Sequence, residues 1–347
     1  MYLQCLKIMK NNSLLLLSFL FFLNCKQSKK VDKEVFSGNP IFDGWYADPE
    51  GAVFNEEYWV YPTYSTKYNE QVFLDAYSSK DLITWKKHEK IIDTSIIKWA
   101  NRAIWAPSII EKKDKYYLFF SANDIQKPGG PYWDKNNSNN HTGGIGIAVS
   151  NSPAGPFKDY LGKPLISDFY NQAQPIDQFV FKDSDSTYYI IYGGWRHCNM
   201  GVLNEDFTGI VPNSENELFK EITPENYVEG PFMFKRKGVY YFMWSEGSWG
   251  DNTYKVAYGM SKKVTGPFKR IGTILESDAS IANGAGHNSV IHIPNTDNYL
   301  MVYHRRPIPN KGRDHRVTCM DKILFNKDGT IQQVKMTFKG VKSQLIN

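Results

Sequence analysis

The sequence has few cysteines and no zinc-binding motif, and each absence argues against one class of protein. Only four of its 347 residues are cysteines. Cys5 and Cys25 lie near the N-terminus, which leaves Cys198 and Cys319 for the folded part, too few for a disulfide framework. We assign neither of these two a catalytic role. The chain also lacks a His-Glu-Xaa-Xaa-His motif and paired cysteines, which argues against a zinc hydrolase site.

Net charge and helical periodicity are both weak in this chain. The formal net charge is +5 at pH 7 and no basic stripe occurs, so we expect no nucleic-acid partner. Long segments with a 3.6-residue apolar period are absent, which argues against a helical fold. With 41% hydrophobic and 15% aromatic residues the chain can still bury a large core, and we expect one catalytic domain.

The one extended apolar run lies at the N-terminus. Leu14–Leu23 follows Lys7 and Lys10 and is about half as long as the roughly 20 residues that a membrane-spanning helix requires. This pattern is typical of a secretion signal and not of a permanent transmembrane anchor.

The residues after this run predict a lipid anchor. Leu23-Asn24-Cys25 resembles a bacterial lipoprotein cleavage box, which implies a signal peptide over residues 1–24 and Cys25 as the lipid-bearing residue. Residues 25–36 then form a polar tether. We therefore predict an exported lipoprotein of the bacterial cell envelope, held at the membrane by its lipid and facing the periplasm or the cell surface. An ordinary cleaved signal with an incidental cysteine is the alternative.

A short aromatic segment recurs five times along the chain, each time after a polar turn. The five segments are Tyr58–Tyr61, Tyr116–Phe120, Tyr188–Tyr192, Tyr240–Trp244 and Tyr299–Tyr303. Each is preceded by a short apolar strand and followed by a further strand pattern, which makes roughly four strands per repeat. Repeats of this kind predict an all-β fold, a five-bladed β-propeller over residues 37–347 with a central active-site pocket.

Chemically active side chains recur at one position of these repeats. Counting back ten to twelve residues from the first tyrosine of each segment reaches Asp48, Trp105, Asp177, Glu229 and His287. Equivalent positions of a propeller lie at one height around its axis, so these side chains should converge on one pocket.

Three of the five are carboxylates, and carboxylates that meet in one pocket are what an inverting glycosidase requires. Such an enzyme needs a base that activates water and an acid that protonates the leaving oxygen, roughly 6.5–9.5 Å apart. We predict Asp48 as the base, Glu229 as the acid, and Asp177 as the residue that orients the acid and raises its pKa. Each alone could be an ordinary turn carboxylate, because Asp-Pro is a common turn signal.

At these residues the sequence resembles glycoside hydrolase family 43, whose members are five-bladed, inverting enzymes acting mostly on arabinose- and xylose-containing polysaccharides. The matching motifs are Asn39-Pro40-Ile41 with Trp45-Tyr46-Ala47-Asp48-Pro49, Trp105-Ala106-Pro107, Ile176-Asp177, Val228-Glu229-Gly230-Pro231 and Gly286-His287-Asn288-Ser289. The resemblance runs from about Asn39 to the C-terminus and implies the same roles for the three carboxylates. Ala47 and Gln178 replace prolines that the family often has, which leaves the subfamily open.

Aromatic and basic residues around the carboxylates are candidates for substrate binding. We predict that Trp105 stacks on a sugar ring and that Trp45, Trp195 and Trp249 form further subsite walls. Arg306 is the arginine favoured by the resemblance for contact with sugar hydroxyls or the carboxylates, and its neighbour Arg305 is the alternative.

The resemblance also implies a metal ion. In the family the histidine at the position of His287 lies near the axis and often contacts a calcium ion or its water shell, so a structural calcium is possible here, bound directly or through water. A neutral imidazole bonded to ordered water is the alternative. The chemistry itself requires no cofactor.

We therefore expect an inverting exo-glycosidase that removes terminal α-L-arabinofuranosyl or β-D-xylosyl residues from plant or algal oligosaccharides and polysaccharides. An enzyme of the same fold acting on galactose or galactofuranose is one alternative. A carbohydrate-binding lipoprotein without activity is another, although the intact carboxylate trio argues against it. Retaining fructan hydrolases are disfavoured because their Arg-Asp-Pro and Glu-Cys elements are missing.

Overall fold

The computed structural model describes residues 34–127, 143–309 and 312–346. These residues contain twenty β-strands in five antiparallel sheets. Blade 1 contains β1 (Tyr46–Phe54), β2 (Glu57–Tyr64), β3 (Phe73–Ser79) and β4 (Lys86–Asp93). Blade 2 contains β5 (Trp105–Lys112), β6 (Lys115–Ala122), β7 (Gly144–Ser150) and β8 (Lys158–Asp159). Blade 3 contains β9 (Phe179–Lys182), β10 (Tyr188–Tyr192), β11 (Asn199–Leu203), β12 (Ile210–Val211) and β13 (Lys220–Glu221). Blade 4 contains β14 (Glu229–Arg236), β15 (Val239–Glu246), β16 (Lys255–Ser261) and β17 (Arg270–Leu275), and blade 5 contains β18 (Ala282–His292), β19 (Tyr299–Pro307) and β20 (Val317–Ile323).

The five blades close into a ring. The first strands β1, β5, β9, β14 and β18 contact one another in cyclic order, with β18 returning to β1. The all-β, five-bladed propeller predicted from the sequence is therefore confirmed. The helical elements among the described residues are two short 3-10 turns, Tyr68–Glu70 and Tyr170–Gln172, and no helix in that part of the chain is long and apolar enough to cross a membrane.

The N-terminal predictions lie largely outside the described residues. The signal peptide over residues 1–24, the lipid on Cys25 and the tether up to residue 33 all fall there. They stay predictions.

The recurring aromatic segments are the second strands of the five blades, β2, β6, β10, β15 and β19, and most of their side chains are buried. Each blade packs between two neighbours, so both faces of these strands are covered and apolar residues do not alternate with polar ones. In β15, Phe242 and Trp244 are fully buried, and their ring centroids lie 5.7 Å apart. Burying side chains of this size stabilises the fold by roughly 2–3 kcal/mol each.

The two ends of the described chain are bonded to each other beside blade 5. Backbone N–H groups of Ser37 and Asn39 donate to the carbonyls of Val341 and Phe338 at 2.8 and 2.9 Å. The Asn39 amide also pairs with the backbone of Met320, accepting its N–H at 2.8 Å and donating to its carbonyl at 3.1 Å. Asn39 thus ties the N-terminal segment to the last strand of the ring.

A residue in the left-handed backbone region lies within the first strand of blades 1, 2, 4 and 5, and another lies two residues before the first strand of blade 3. These residues are Asp48 (φ 47°), Ala106 (φ 44°), Asp177 (φ 55°), Gly230 (φ 63°) and His287 (φ 43°). Strand pairing shifts register at this point in blades 1, 2, 4 and 5, as at a β-bulge. A bulge turns the side chains beside it toward new directions, here toward the end of the ring where the first strands start.

The residues found by counting back were predicted to occupy the same position in all five blades, and in two blades this prediction is wrong by one residue. Asp48, Asp177 and His287 are themselves the left-handed residues, whereas Trp105 and Glu229 each come one position earlier. The left-handed residue lies ten residues before the first tyrosine of the aromatic segment in blades 1, 2 and 4, eleven before it in blade 3 and twelve before it in blade 5. A count of ten to twelve residues therefore cannot distinguish this residue from the one before it.

Gly230 combines a left-handed backbone with closely packed neighbours, and we expect Gly230→Ala to lower the free energy of unfolding by about 2–3 kcal/mol. A left-handed alanine costs roughly 1–2 kcal/mol by itself. In addition, a Cβ at Gly230 would lie 3.1 Å from Ser245 Oγ and 3.2 Å from His287 Cγ. Urea unfolding followed by tryptophan fluorescence measures the loss.

Gly238→Ala is the matched control. Gly238 has a similar φ of 75°, but a Cβ there would meet no atom within 4 Å, so only the conformational cost of about 1 kcal/mol applies. Equal destabilisation by the two substitutions would contradict the close packing described at Gly230.

Candidate active site

A cavity of about 450 Å³ opens at the end of the ring where the first strands start, and all five blades contribute to its walls. Seven of the residues predicted from the sequence line it together: Asp48, Asp177, Glu229, Trp105, Trp195, Trp249 and His287. The structure therefore brings the three carboxylates into one space, as the repeat pattern predicts.

Asp48 lies among three basic side chains. Its Oδ1 accepts a hydrogen bond from Arg316 Nη1 at 3.1 Å and lies 3.4 Å from His287 Nδ1, while its backbone N–H donates to His304 Nδ1 at 3.1 Å. Burial alone would raise the pKa of Asp48, but the charge of the Arg316 guanidinium, the largest opposing influence, holds the pKa well below its usual value. Asp48 is therefore a carboxylate at any pH near neutrality.

Glu229 has the opposite electrostatic environment. Its Oε1 accepts a hydrogen bond from the Tyr254 hydroxyl at 2.8 Å. Burial and the nearby charge of Asp48 raise the pKa of Glu229 to about 7, against the opposing effects of Tyr254 and Arg316. A substantial fraction of Glu229 thus carries a proton at neutral pH and can donate it.

Asp177, which lies just before the first strand of blade 3, bonds to both neighbouring blades, 2 and 4. Its backbone N–H donates to Ser121 Oγ, and its Oδ2 accepts the backbone N–H of Gly230, both at 3.1 Å. Burial and repulsion from Glu229 and Asp48 raise the pKa of Asp177 well above its usual value. Asp177 and Glu229 therefore titrate as a coupled pair that retains a proton more readily than isolated carboxyl groups would.

His287 lies between two of the carboxylates. Its Nδ1 is 3.4 Å from Asp48 Oδ1 and 3.6 Å from Asp177 Oδ2. Burial lowers the pKa of His287, with Asp48 opposing, so the ring is neutral at pH 7. It separates Asp48 from Asp177 without adding a full charge.

Calcium at this position would find few protein oxygens. A second cavity of about 10 Å³, room for about one water, lies beside His287 and is lined by Glu50, Gln178 and Asn288 among others. Asn288 Oδ1 is buried there and has no hydrogen-bond partner among the described residues. In residues 34–127, 143–309 and 312–346, no group of three or more His, Cys, Asp or Glu could hold a metal. Calcium takes six to eight oxygens, so water would have to supply most of its shell, and the ion stays a prediction.

Aromatic side chains form much of the cavity wall. Trp105 donates its ring N–H to Gln71 Oε1 and meets Tyr68 edge-on at 4.8 Å between centroids. Trp195 stacks on Phe169 at 5.6 Å. These contacts fix the orientation of indole rings against which the apolar face of a sugar can pack.

Arg306 does not contact the catalytic carboxylates, which corrects the sequence-based prediction. Only 2% of it is exposed, and its guanidinium donates to the backbone carbonyls of Arg313 and Trp249. It therefore holds the loop that carries Trp249 instead of entering the cavity. Arg305, the alternative, is equally buried and donates to the carbonyl of Thr337 at 2.9 Å.

Trp45 also lies apart from the other predicted residues. It does not line the cavity, and 41% of it is exposed with its ring stacked on His315 at 4.4 Å. Trp45 precedes the bulge at Asp48 by three residues, and on that side of the bulge the chain has already left the cavity wall.

Two residues of the site, Arg316 and Tyr254, are not identified from the sequence. They directly precede the third strands of blades 5 and 4, β20 and β16. Second strands end and third strands begin at the cavity end of each antiparallel blade, so the residue before each third strand was a signal that could have found both. The remaining lining residues come from loops: Tyr68, Gln71, Asp124, Gln126, Gln174, Ile176, Arg196, Val228 and Arg313.

Comparison with known proteins agrees with this architecture. The model of glycosyl hydrolases family 43 matches residues 37–331. The β-D-galactofuranosidase xynD of Aspergillus niger is 42% identical over 324 residues, covering 90% of this chain and 88% of that protein. An arabinoxylan arabinofuranohydrolase of Bacillus subtilis is 26% identical, covering 90% of this chain and 67% of that protein. The structure of an α-L-arabinofuranosidase from Clostridium thermocellum superimposes with a TM-score of 0.67 at 28% identity, covering 86% of this chain and 96% of that one.

Proposed function

Because this chain belongs to glycosyl hydrolase family 43 and is a glycosidase of that family, we propose that it is an inverting, exo-acting furanosidase. Terminal β-D-galactofuranosides are its first candidate substrates, and α-L-arabinofuranosides are the second. The sequence suggested a pentose as the substrate. We place galactofuranose first instead, because the relative with 42% identity is a galactofuranosidase, whereas the arabinoxylan arabinofuranohydrolase named above is 26% identical.

The observation that carries the proposal is the opposite electrostatic environment of two carboxyl groups in one cavity. Asp48, held ionised by Arg316, takes a proton from the attacking water. Glu229, whose pKa burial raises to about 7, donates its proton to the departing oxygen. Asp177 accepts the backbone N–H of Gly230, the residue after Glu229, and so holds the segment that carries the acid. The water and the leaving group then lie on opposite sides of the sugar, which is inversion.

The shape of the cavity supports cleavage at a chain end. All five blades contribute to its wall, so the terminal sugar is surrounded on every side. Its volume of about 450 Å³ is in the range of small-molecule sites. Binding of one terminal residue with the rest of the oligosaccharide leaving through the mouth is consistent with both features.

A panel of 4-nitrophenyl glycosides tests the substrate proposal. We expect the purified protein to hydrolyse the β-D-galactofuranoside fastest and the α-L-arabinofuranoside more slowly, with the β-D-xyloside and β-D-galactopyranoside at or near background. Release of nitrophenolate measures the rates. Preference for either pyranoside would contradict the furanosidase assignment.

Substrates with poor and good leaving groups distinguish the role of Glu229 from that of Asp48. Glu229→Gln should lower kcat by about 10²–10⁴-fold on a furanoside with an alkyl or sugar leaving group, which needs protonation, and far less on a dinitrophenyl furanoside. Asp48→Asn should lower kcat on both kinds of substrate, because every leaving group requires an activated water. Equal losses in the Glu229 variant on both substrates would contradict its role as the acid.

The pH dependence of kcat/KM follows from the two environments. Activity requires ionised Asp48, whose pKa lies below its usual value, so on an arabinofuranoside no loss is expected between about pH 7 and pH 5. It also requires protonated Glu229, so activity falls as pH rises through about 7. The Tyr254 hydroxyl stabilises the charged form of Glu229, so Tyr254→Phe should move this basic limb upward by about one pH unit.

Tyr241→Phe is the control for this shift. It removes a tyrosine hydroxyl from the same blade, one that donates to the Gly329 carbonyl at 2.7 Å and does not line the cavity. The basic limb should stay in place in this variant. A downward or absent shift in Tyr254→Phe would show that Glu229 does not set the limb.

A further inference from the structure

Given the furanosidase function proposed above, on which this inference rests, we propose that Asp124 and Gln126 bind the exocyclic hydroxyl groups of a hexofuranose. They thereby select galactofuranosides over arabinofuranosides. Neither residue takes part in the proton transfers assigned to Asp48 and Glu229.

The two residues occupy one sector of the cavity wall. Asp124 and Gln126 follow β6 of blade 2, and Gln174, which precedes β9 of the adjacent blade 3, lies beside them. Asp48 and Glu229 belong to blades 1 and 4. A sugar whose reacting carbon lies between the acid and the base therefore has another part of its surface facing this polar sector.

Hydrogen bonds within the sector leave acceptors for a ligand. Gln126 Nε2 donates to Asp124 Oδ1 at 2.6 Å, and Gln174 Nε2 donates to the same oxygen at 3.4 Å and to the Ile125 carbonyl at 2.8 Å. Both amides thus bind one carboxylate oxygen of Asp124. The other, Oδ2, has no donor among the described residues and can accept from a ligand.

Gln126 supplies the second acceptor. Only 5% of this residue is exposed, and its Oε1 is buried without any hydrogen-bond partner in the described part of the chain. The orientation of the amide is determined by its Nε2, which must face the acceptor-only carboxylate of Asp124. A buried acceptor without a donor is unfavourable, and a substrate hydroxyl would satisfy it.

The charge of Asp124 suits this role at neutral pH. Burial raises the pKa of Asp124 to about 6, while Arg102 and the two glutamine amides oppose the rise. The carboxylate is therefore mostly ionised at pH 7.5. An ionised carboxylate is a stronger acceptor for hydroxyl groups than a neutral one.

The two candidate sugars differ at the group that such acceptors would recognise. β-D-Galactofuranose and α-L-arabinofuranose share the same ring configuration. Galactofuranose carries a two-carbon side chain with two hydroxyls, whereas arabinofuranose carries one carbon with one hydroxyl. Two acceptors match the two exocyclic donors of galactofuranose, and a site built to bond a hydroxyl discriminates strongly against an analogue that lacks it.

Kinetics with the two matched nitrophenyl furanosides tests the assignment. Asp124→Asn and Gln126→Met keep the size of each side chain and remove an acceptor. We expect each to lower kcat/KM on the galactofuranoside by about 10- to 100-fold at pH 7.5 and to lower kcat/KM on the arabinofuranoside by a clearly smaller factor, because the single exocyclic hydroxyl of that sugar can bond to only one of the two acceptors. Gln332→Met, the same change at an exposed position outside the cavity, should alter neither rate.

Two kinetic outcomes would overturn the proposal. Equal losses on both furanosides would mean that Asp124 and Gln126 bind ring hydroxyls common to the two sugars or only support the wall. Unchanged rates on both would mean that they do not contact substrate. Thermal unfolding of each variant tests whether a lower rate reflects loss of the folded structure.

Binding provides a readout that does not depend on turnover. Calorimetry with the Glu229→Gln protein should give at least tenfold tighter binding of methyl β-D-galactofuranoside than of methyl α-L-arabinofuranoside, and adding Asp124→Asn should abolish the difference. If the wild-type protein hydrolyses neither sugar but this difference is found, the proposed function fails and the selection by Asp124 stands. Equal affinities, or no binding of either sugar, would overturn the selection itself.

Discussion

The chemistry of the cavity depends on hydrogen bonds that hold the left-handed residue at the start of each blade. In four of the five junctions, a polar side chain on one blade's second strand accepts the backbone N–H of the left-handed residue in the next blade. The pairs are Thr63 with Ala106, Ser121 with Asp177, Ser245 with His287 and His304 with Asp48, at 2.8, 3.1, 3.0 and 3.1 Å. A left-handed residue other than glycine costs roughly 1–3 kcal/mol, and these bonds, at about 1 kcal/mol each, offset part of that cost. The hydrogen bonds that join adjacent blades into a ring therefore also orient the side chains that line the cavity.

The fifth junction, between blades 3 and 4, is built differently. Here Asp177 Oδ2 accepts the N–H of Gly230, so a carboxylate does what a hydroxyl or an imidazole does elsewhere. Burial and repulsion from Glu229 and Asp48 raise the pKa of this carboxylate. Arg316, in blade 5, bonds to Asp48 and lowers its pKa, whereas burial and the charge of Asp48 raise the pKa of Glu229. A protonated and an ionised carboxyl group thus coexist in one cavity because Asp48 bonds to a cation while Glu229 is buried and bonds to the uncharged Tyr254 hydroxyl.

Much of the fold and the carboxylate trio could be predicted because both follow from the repeat. The aromatic second strands recur every 52 to 72 residues, and Asp48, Asp177 and Glu229 keep nearly one position relative to them. Arg306 could not be told from Arg316 in this way, because neither arginine belongs to the repeated pattern and the folded structure alone shows which guanidinium bonds to Asp48. The residues proposed to select the sugar, Asp124 and Gln126, could not be predicted either, because they come from a loop without repeat symmetry. Their significance depends on an unpaired oxygen that only coordinates reveal.

The central claim is that a water molecule attacks from the Asp48 side while Glu229 protonates the leaving oxygen. Proton NMR of the first seconds of hydrolysis tests it most directly, because the anomeric signal of the first-formed sugar reports the face of attack. With a β-D-galactofuranoside, or with whichever furanoside is cleaved, the account predicts that the first-formed sugar has the opposite anomeric configuration to the substrate. A first-formed sugar with the same anomeric configuration as the substrate would contradict it.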